Sequence, residues 1–381
     1  MLGAVTILAA AATLAAANER AGLLVALDSW NGWQALASAA GWAYVPAAQP
    51  QPAAPDDATV KALNSLVASK SSLADPARVY LAGRDEAAAA VFYAVSRMPH
   101  LWAGAVAIQG DPVAAIETNR LFSANTSLVP FLWAAPAGAR PVAARLHAAG
   151  FPIDFRDVSN VSAEDVLQFL NKARQDEFPA KIDCESGNPH FGRCYWLQME
   201  TLDASHRNDA LPVSRVPPGS GAYLVLGGFG YDPRKPGPGV EVGWLPEGYK
   251  GPLKTGDAIV SIAGRAVANP AEYRSMLEQV REPKPTAIMI QRGKQRIRIE
   301  TRFELKPREE QFTARVQAEY LSWSREMVLI SRGVSRLKLN IPAHWAPVRV
   351  NWNGQAQFEL SEGGCWVLSD NAKHAGRCDW P

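Results

Sequence analysis

The chain carries no basic arm and no Lys/Arg block, and 39 basic residues against 37 acidic ones leave a formal net charge of only +2. That balance removes the electrostatic case for a nucleic-acid partner. Cysteine is scarce: there are four, none in a Cys-x-x-Cys pair and none with an organised histidine partner, so the usual spacing of structural zinc sites is missing. No metal and no cofactor are expected. Long apolar runs are also short here, since Leu2 to Ala17 falls below the about 20 residues that a membrane-spanning helix needs, and no transmembrane span is expected. This run ends in Ala15-Ala16-Ala17, which suits a signal-peptide cleavage site. Met1-Leu2-Gly3, however, lacks the positive charge that opens such peptides. A signal peptide and a buried Ala-rich helix both stay open for residues 1–17.

What is present describes an ordinary globular protein, 48% hydrophobic and 20% charged, and 381 residues suggest two or three domains. The four cysteines fall as two local pairs, Cys184 with Cys194 and Cys365 with Cys378, each placed to staple a hairpin or a terminal loop. Two disulfides imply an oxidising, extracytoplasmic compartment, periplasmic or secreted; four reduced thiols in a cytosolic protein are the alternative.

From Leu23 to about Arg174 apolar strands alternate with helical segments, the signature of a parallel sheet with helices on its faces. Strands are expected at 23–27, 79–81, 104–108, 129–133 and 153–158, and helices at 58–68, 86–97, 141–149 and 163–173. Residues 46–55 read as a surface loop. Near Phe178 the pattern turns to alternating, aromatic-rich β segments such as residues 193–199, and the Pro/Gly/Ser-rich stretch 212–221 reads as a linker.

Residues 79–87, Val-Tyr-Leu-Ala-Gly-Arg-Asp-Glu-Ala, form an apolar strand, a Gly-centred turn and the start of an Ala-rich helix. This is the setting in which Gly-x-Ser-x-Gly lifts a nucleophilic serine above a parallel sheet. Asp85 stands where the serine belongs, and Ala87 replaces the second glycine. With Arg78 to Gly83 before the turn and Ser96 to Ala107 after it, residues 19 to about 200 resemble the secreted esterases of the polyhydroxybutyrate depolymerase and feruloyl esterase group, α/β-hydrolases that use a Ser-His-Asp triad. The resemblance implies an acid after the strand 129–134 and a histidine after 155–158. The chain offers Ala135 to Arg140 and Ser159 to Ser162 there, with neither. It also implies an oxyanion loop ahead of Leu23, and residues 1–22 hold no His-Gly-type turn. Asp85 as a carboxylate nucleophile, as in haloalkane dehalogenases and epoxide hydrolases, is the remaining active reading. It needs a base from among His100, His147, His190, His206, His344 and His374. A solvated Asp85 is the plain alternative. Trp30, Trp33 and Trp42 are read as core or loop anchors before cleft residues.

Residues 256–264, Gly-Asp-Ala-Ile-Val-Ser-Ile-Ala-Gly, read as turn, strand and turn. Asn269-Pro270 then supply a cap and first-turn proline for a helix through Val280, and strands follow at 286–291 and 296–301. This order resembles a bacterial, protease-chaperone type PDZ domain. The resemblance implies that an extended or C-terminal peptide binds at Leu224, Val225, Leu226, Gly227, Gly228 and Phe229, with Tyr273, Met276 and Leu277 shaping the side-chain pocket. A plain turn with Phe229 in the core is the alternative. Residues 312–370 return to β patterning, Asn353-Gly354 marks a hairpin, and 306–310 is a charged connector.

The expected architecture is a degenerate α/β-hydrolase domain over residues 1–175 and a β-hairpin at 176–213. A PDZ-like domain at 214–305 is followed by a C-terminal β-sandwich at 306–381 that the hairpin completes. The expected function is peptide binding by a catalytically inactive, esterase-like protein, with an α/β-fold hydrolase as the alternative.

Overall fold

The computed structural model describes residues 21–46, 56–70, 72, 74–117, 121–232, 235–306, 311–372 and 374–380. The apolar run 1–17, all but the first residue of the 46–55 loop and positions 307–310 of the charged connector lie outside the described residues. The chain divides into two compact units, residues 1–217 together with 311–381, and residues 218–310.

The larger unit begins with β1 (Leu23–Ala26), α1 (Asn31–Ala39), β2 (Ala43–Pro46), α2 (Asp57–Lys70), β3 (Val79–Arg84), α3 (Ala87–Arg97), β4 (Gly104–Ile108), α4 (Val113–Glu117), β5 (Phe131–Ala135), α5 (Arg140–Ala148), β6 (Ile153–Asp157) and α6 (Ala163–Lys172). The six strands pair in parallel in the order β2-β1-β3-β4-β5-β6, an α/β-hydrolase-like sheet. Successive side chains point to opposite faces, so Leu23 and Val25 join one apolar layer while Leu24 and Ala26 join the other. Helices cover both faces, which is why the inner strands are unbroken apolar runs and not alternating ones. Every residue of α3 is buried, and Phe92 packs on Phe131, Trp133 and Phe151. On the other face Trp33 and Leu36 of α1 and Val166 and Leu170 of α6 meet Leu24 and Tyr80. α6 opens with a reciprocal cap in which Ser162 and Asp165 satisfy each other's amides.

Next come β7 (Lys181–Ser186), β8 (Arg193–Cys194) and β9 (Leu197–Leu202). The smaller unit then contributes β10 (Ala222–Leu224), β11 (Val240–Glu241), β12 (Ala258–Ile262), β13 (Arg265–Ala266), α7 (Pro270–Glu278), β14 (Lys284–Arg292) and β15 (Gln295–Leu305). Its sheet runs β10-β15-β14-β12-β11, with β13 beside β12, all antiparallel. Its own core gathers Leu224, Ile259, Ile288, Ile290, Phe303 and Met276.

Back in the larger unit, β16 (Ala314–Leu321), β17 (Glu326–Arg332), β18 (Val334–Ile341), β19 (Val348–Trp352), β20 (Ala356–Leu360), β21 (Gly364–Ser369) and β22 (Gly376–Arg377) complete the strands among the described residues. They form two sheets, β20-β19-β17-β16-β7 and β22-β21-β18-β9-β8, whose apolar residues make one shared core that includes Cys184, Met199, Leu329, Leu339 and Val350. Both disulfides are formed: Cys184–Cys194 links β7 to β8, and Cys365–Cys378 ties β21 to the chain end. Glu185, wholly buried, accepts from the Ser214 amide at 2.6 Å, the Thr313 hydroxyl at 2.5 Å and Arg332 at 3.2 Å. A buried carboxylate survives only when its oxygens are satisfied in this way.

Candidate functional site

Strand order selects the first place to look. The chain steps from β1 outward to β2 and then back across to β3, so the crevice beyond the carboxyl ends of β1 and β3 is the topological switch point, where open α/β sheets bind ligands. Asp28 follows β1 there, and Arg84 and Asp85 follow β3. Asp85 is exposed, adopts φ 51°, and donates its amide to the Ile108 carbonyl at 2.9 Å, while its own carbonyl accepts from Ala88 at 3.2 Å. The sharp strand-to-helix turn expected here is therefore present, with a carboxylate at its tip. Gly110 leaves room for it: a Cβ there would stand 1.8 Å from the Asp85 carbonyl oxygen.

The loop after β1 differs from the sequence expectation. An oxyanion loop was expected ahead of Leu23, because α1 and β2 escape notice: Gly32 lies inside the first and Pro46 ends the second. With both in place, β1 lies directly against the elbow strand, and residues 27–30 occupy the neighbouring loop. There the Asp28 carboxylate accepts from the Arg84 amide at 2.7 Å, the Trp30 amide at 2.8 Å and Trp33 Nε1 at 3.1 Å. The Arg84 guanidinium stacks on Trp30 at 4.5 Å and donates to Gln109 at 3.0 Å. Trp33 and Trp42 are buried, whereas Trp30 is 38% exposed.

The loops at this sheet edge, 27–30, 84–87, 109–112, 135–140 and 157–162, contain no histidine. His100 precedes β4 and His147 lies near the end of α5, which places both at the opposite, amino edge of the sheet. At the expected histidine loop the Ser159 hydroxyl and then its amide hold the Asp157 carboxyl below the usual carboxylate range. Among the described residues no group of three or more His, Cys, Asp or Glu is arranged to hold a metal ion, and no helix is long and apolar enough to cross a membrane.

The second place is in the smaller unit. Leu224 and Leu226 point into its core, and Val225, 41% exposed, pairs its amide with Arg302 and its carbonyl with Thr301. The chain then turns through the exposed Gly227 and Gly228, anchored by the Tyr249 hydroxyl on the Leu226 carbonyl. A Cβ on Gly228 would meet nothing within 4 Å. Gly230 gives its amide to Trp244 at 2.9 Å and accepts from Gly243 at 2.9 Å. Phe229 and Tyr231, on either side of this isolated bridge, have no backbone hydrogen-bond partner among the described residues. The Tyr231 ring lies edge-to-face on Tyr273 of α7 at 5.7 Å. Tyr273 and Met276 are core residues and Leu277 is half-buried. Burial raises the phenol pKa of both Tyr231 and Tyr273.

No family model matches the chain, and no curated protein matches it. Two solved chains do. One, described as the crystal structure of a thermostable esterase, is 13% identical with a TM-score of 0.30, over 42% of this chain and 56% of that one. The chain thus spans about half the length of that esterase.

Proposed function

We propose that residues 218–310 form a PDZ-like module that takes the carboxyl end of an extended peptide as an added strand, while the hydrolase-like sheet serves as an inactive scaffold. The observation that carries this reading is the segment at Phe229 and Tyr231, without backbone partners among the described residues, in contact with α7 through Tyr231 on Tyr273, and preceded by the open Gly227-Gly228 turn. An edge with free amides and carbonyls is a template for β-augmentation, and a glycine turn with unpartnered amides suits a terminal carboxylate. The two disulfides support an extracytoplasmic setting for this binding.

The test uses the full chain and fluorescent C-terminal peptides, each with a free or an amidated end. Free carboxylates are expected to bind at least about tenfold more tightly, since a charged acceptor makes the stronger hydrogen bonds. Gly228→Glu has open space around it and is expected to fold normally while repelling the peptide's terminus. Binding indifferent to both amidation and Gly228→Glu would sink the proposal.

A second reading keeps a hydrolase at Asp85, favoured by the exposed carboxylate on an intact elbow. It requires a base, which none of the surrounding loops offers as histidine. Ester turnover that disappears in Asp85→Ala would establish this reading instead.

A further inference from the structure

At the amino edge of the parallel sheet, opposite the crevice at the carboxyl ends of β1 and β3, two cavities are both lined by His100 and Gln175. One, about 340 Å³, is apolar and lined by Leu23, Val67, Ala74, Pro76, Val79 and Leu101. The other is about 40 Å³ and polar, lined by His100 together with Glu177, Arg193, Tyr195 and Trp380. Among the described residues, two buried polar atoms of side chains lining the polar cavity, His100 Nδ1 and the Tyr195 hydroxyl, have no hydrogen-bond partner. Tyr195 is only 7% exposed and sits at φ 53°, a conformation that costs energy for a bulky aromatic residue and persists only where the surroundings enforce it. The His100 ring bonds the Arg193 backbone, and burial, followed by the Arg193 charge, pushes its pKa down to about 3. The imidazole is therefore neutral, with Nδ1 a pure acceptor, and the lining of the same cavity carries the phenolic donor of Tyr195.

We propose that these cavities together bind a small aliphatic alcohol, its hydroxyl donating to His100 Nδ1 and accepting from Tyr195, its alkyl chain lying in the apolar cleft. A single hydroxyl complements both orphaned atoms, which neither an ammonium nor a carboxylate does. Charges of both signs stand around the cavity, Glu177 acting on Arg193 and Asp176 on Tyr195, so neither sign of charged head gains a clear advantage to offset its desolvation. The apolar lining then rewards chain length.

Calorimetric titration of the full-length protein with straight-chain primary alcohols from propanol to hexanol tests this. Affinity is expected to rise about fourfold per methylene, with hexanoate and hexylamine at neutral pH at least about tenfold weaker than hexanol. Tyr195→Phe keeps the ring and is expected to weaken hexanol binding about fivefold. Equal binding of hexanol and hexanoate, or affinity that does not grow with chain length, would overturn the proposal without recourse to any variant.

Discussion

The His206 imidazole bridges two carboxylates. Its Nε2 meets Asp370, and its Nδ1 lies 3.2 Å from Asp203, which also takes the Ser205 hydroxyl at 2.6 Å. The hydrogen bond to Asp370, aided by the charges of both carboxylates, raises the imidazole pKa. A raised pKa means that the clamp contributes fully below the ordinary histidine value of about 6.5 and is lost as pH climbs through the higher folded value. Urea unfolding of the parent and His206→Gln is therefore expected to differ more at about pH 6 than at about pH 8.5. A stability gap that stays constant across that range would show that the imidazolium contributes nothing. The same scale explains why Asp85 was visible in the sequence and Asp28 was not. Asp85 breaks a motif of fixed spacing, whereas Asp28 matters only because the chain folds its carboxylate onto the amide of Arg84, 56 positions away.

Among the elements, those buried on both faces were the most legible. The strand expected at 104–108 is β4 to the residue, because continuous apolar runs between turn signals leave little choice. Short or interrupted elements were not: α1 carries Gly32, and β2 has four residues ending in Pro46. The cap of α7 was readable from Asn269-Pro270, and the Asn269 side chain accepts from Glu272 at 2.9 Å. Phe229 already fell within the peptide segment that the resemblance implied at 224–229, but nothing local says in which direction Gly230 turns its hydrogen bonds. The turn before β12 supports a prediction of its own. Asp257, 1% exposed, accepts from Arg292 at 2.8 and 2.7 Å and from the Lys254 amide at 2.7 Å. Burial alone would raise its pKa, but these partners overcome it and hold the carboxyl below the usual range. Its contribution is present above about pH 3.9 and fades as pH falls through the folded value. Asp257→Asn is expected to destabilise the smaller unit by about 2 kcal/mol at neutral pH and by less in acid, read by denaturant unfolding. An equal loss at both pH values would assign the effect to packing.

At the scale of the whole molecule, the smaller unit enters and leaves the larger one through neighbouring points, since Arg215 donates to the Gln311 carbonyl at 2.9 Å. Replacing residues 218–310 with a short Gly/Ser linker is expected to leave a cooperatively folding protein with both disulfides and without peptide binding, as judged by circular dichroism melting and disulfide mapping. Loss of the melting transition would mean that the larger unit depends on the insertion. The pairing of β7 with β16 has a further consequence. Arg315 meets Asp183 across that ladder, 132 positions apart in sequence, and the whole of the smaller unit is synthesised between them. During synthesis β7 must wait with an open edge while the inserted unit folds on its own local contacts, so assembly of the larger unit is a late, high-contact-order event. Until then the nascent chain exposes an unpaired strand, and aggregation during expression is expected to concentrate in that interval.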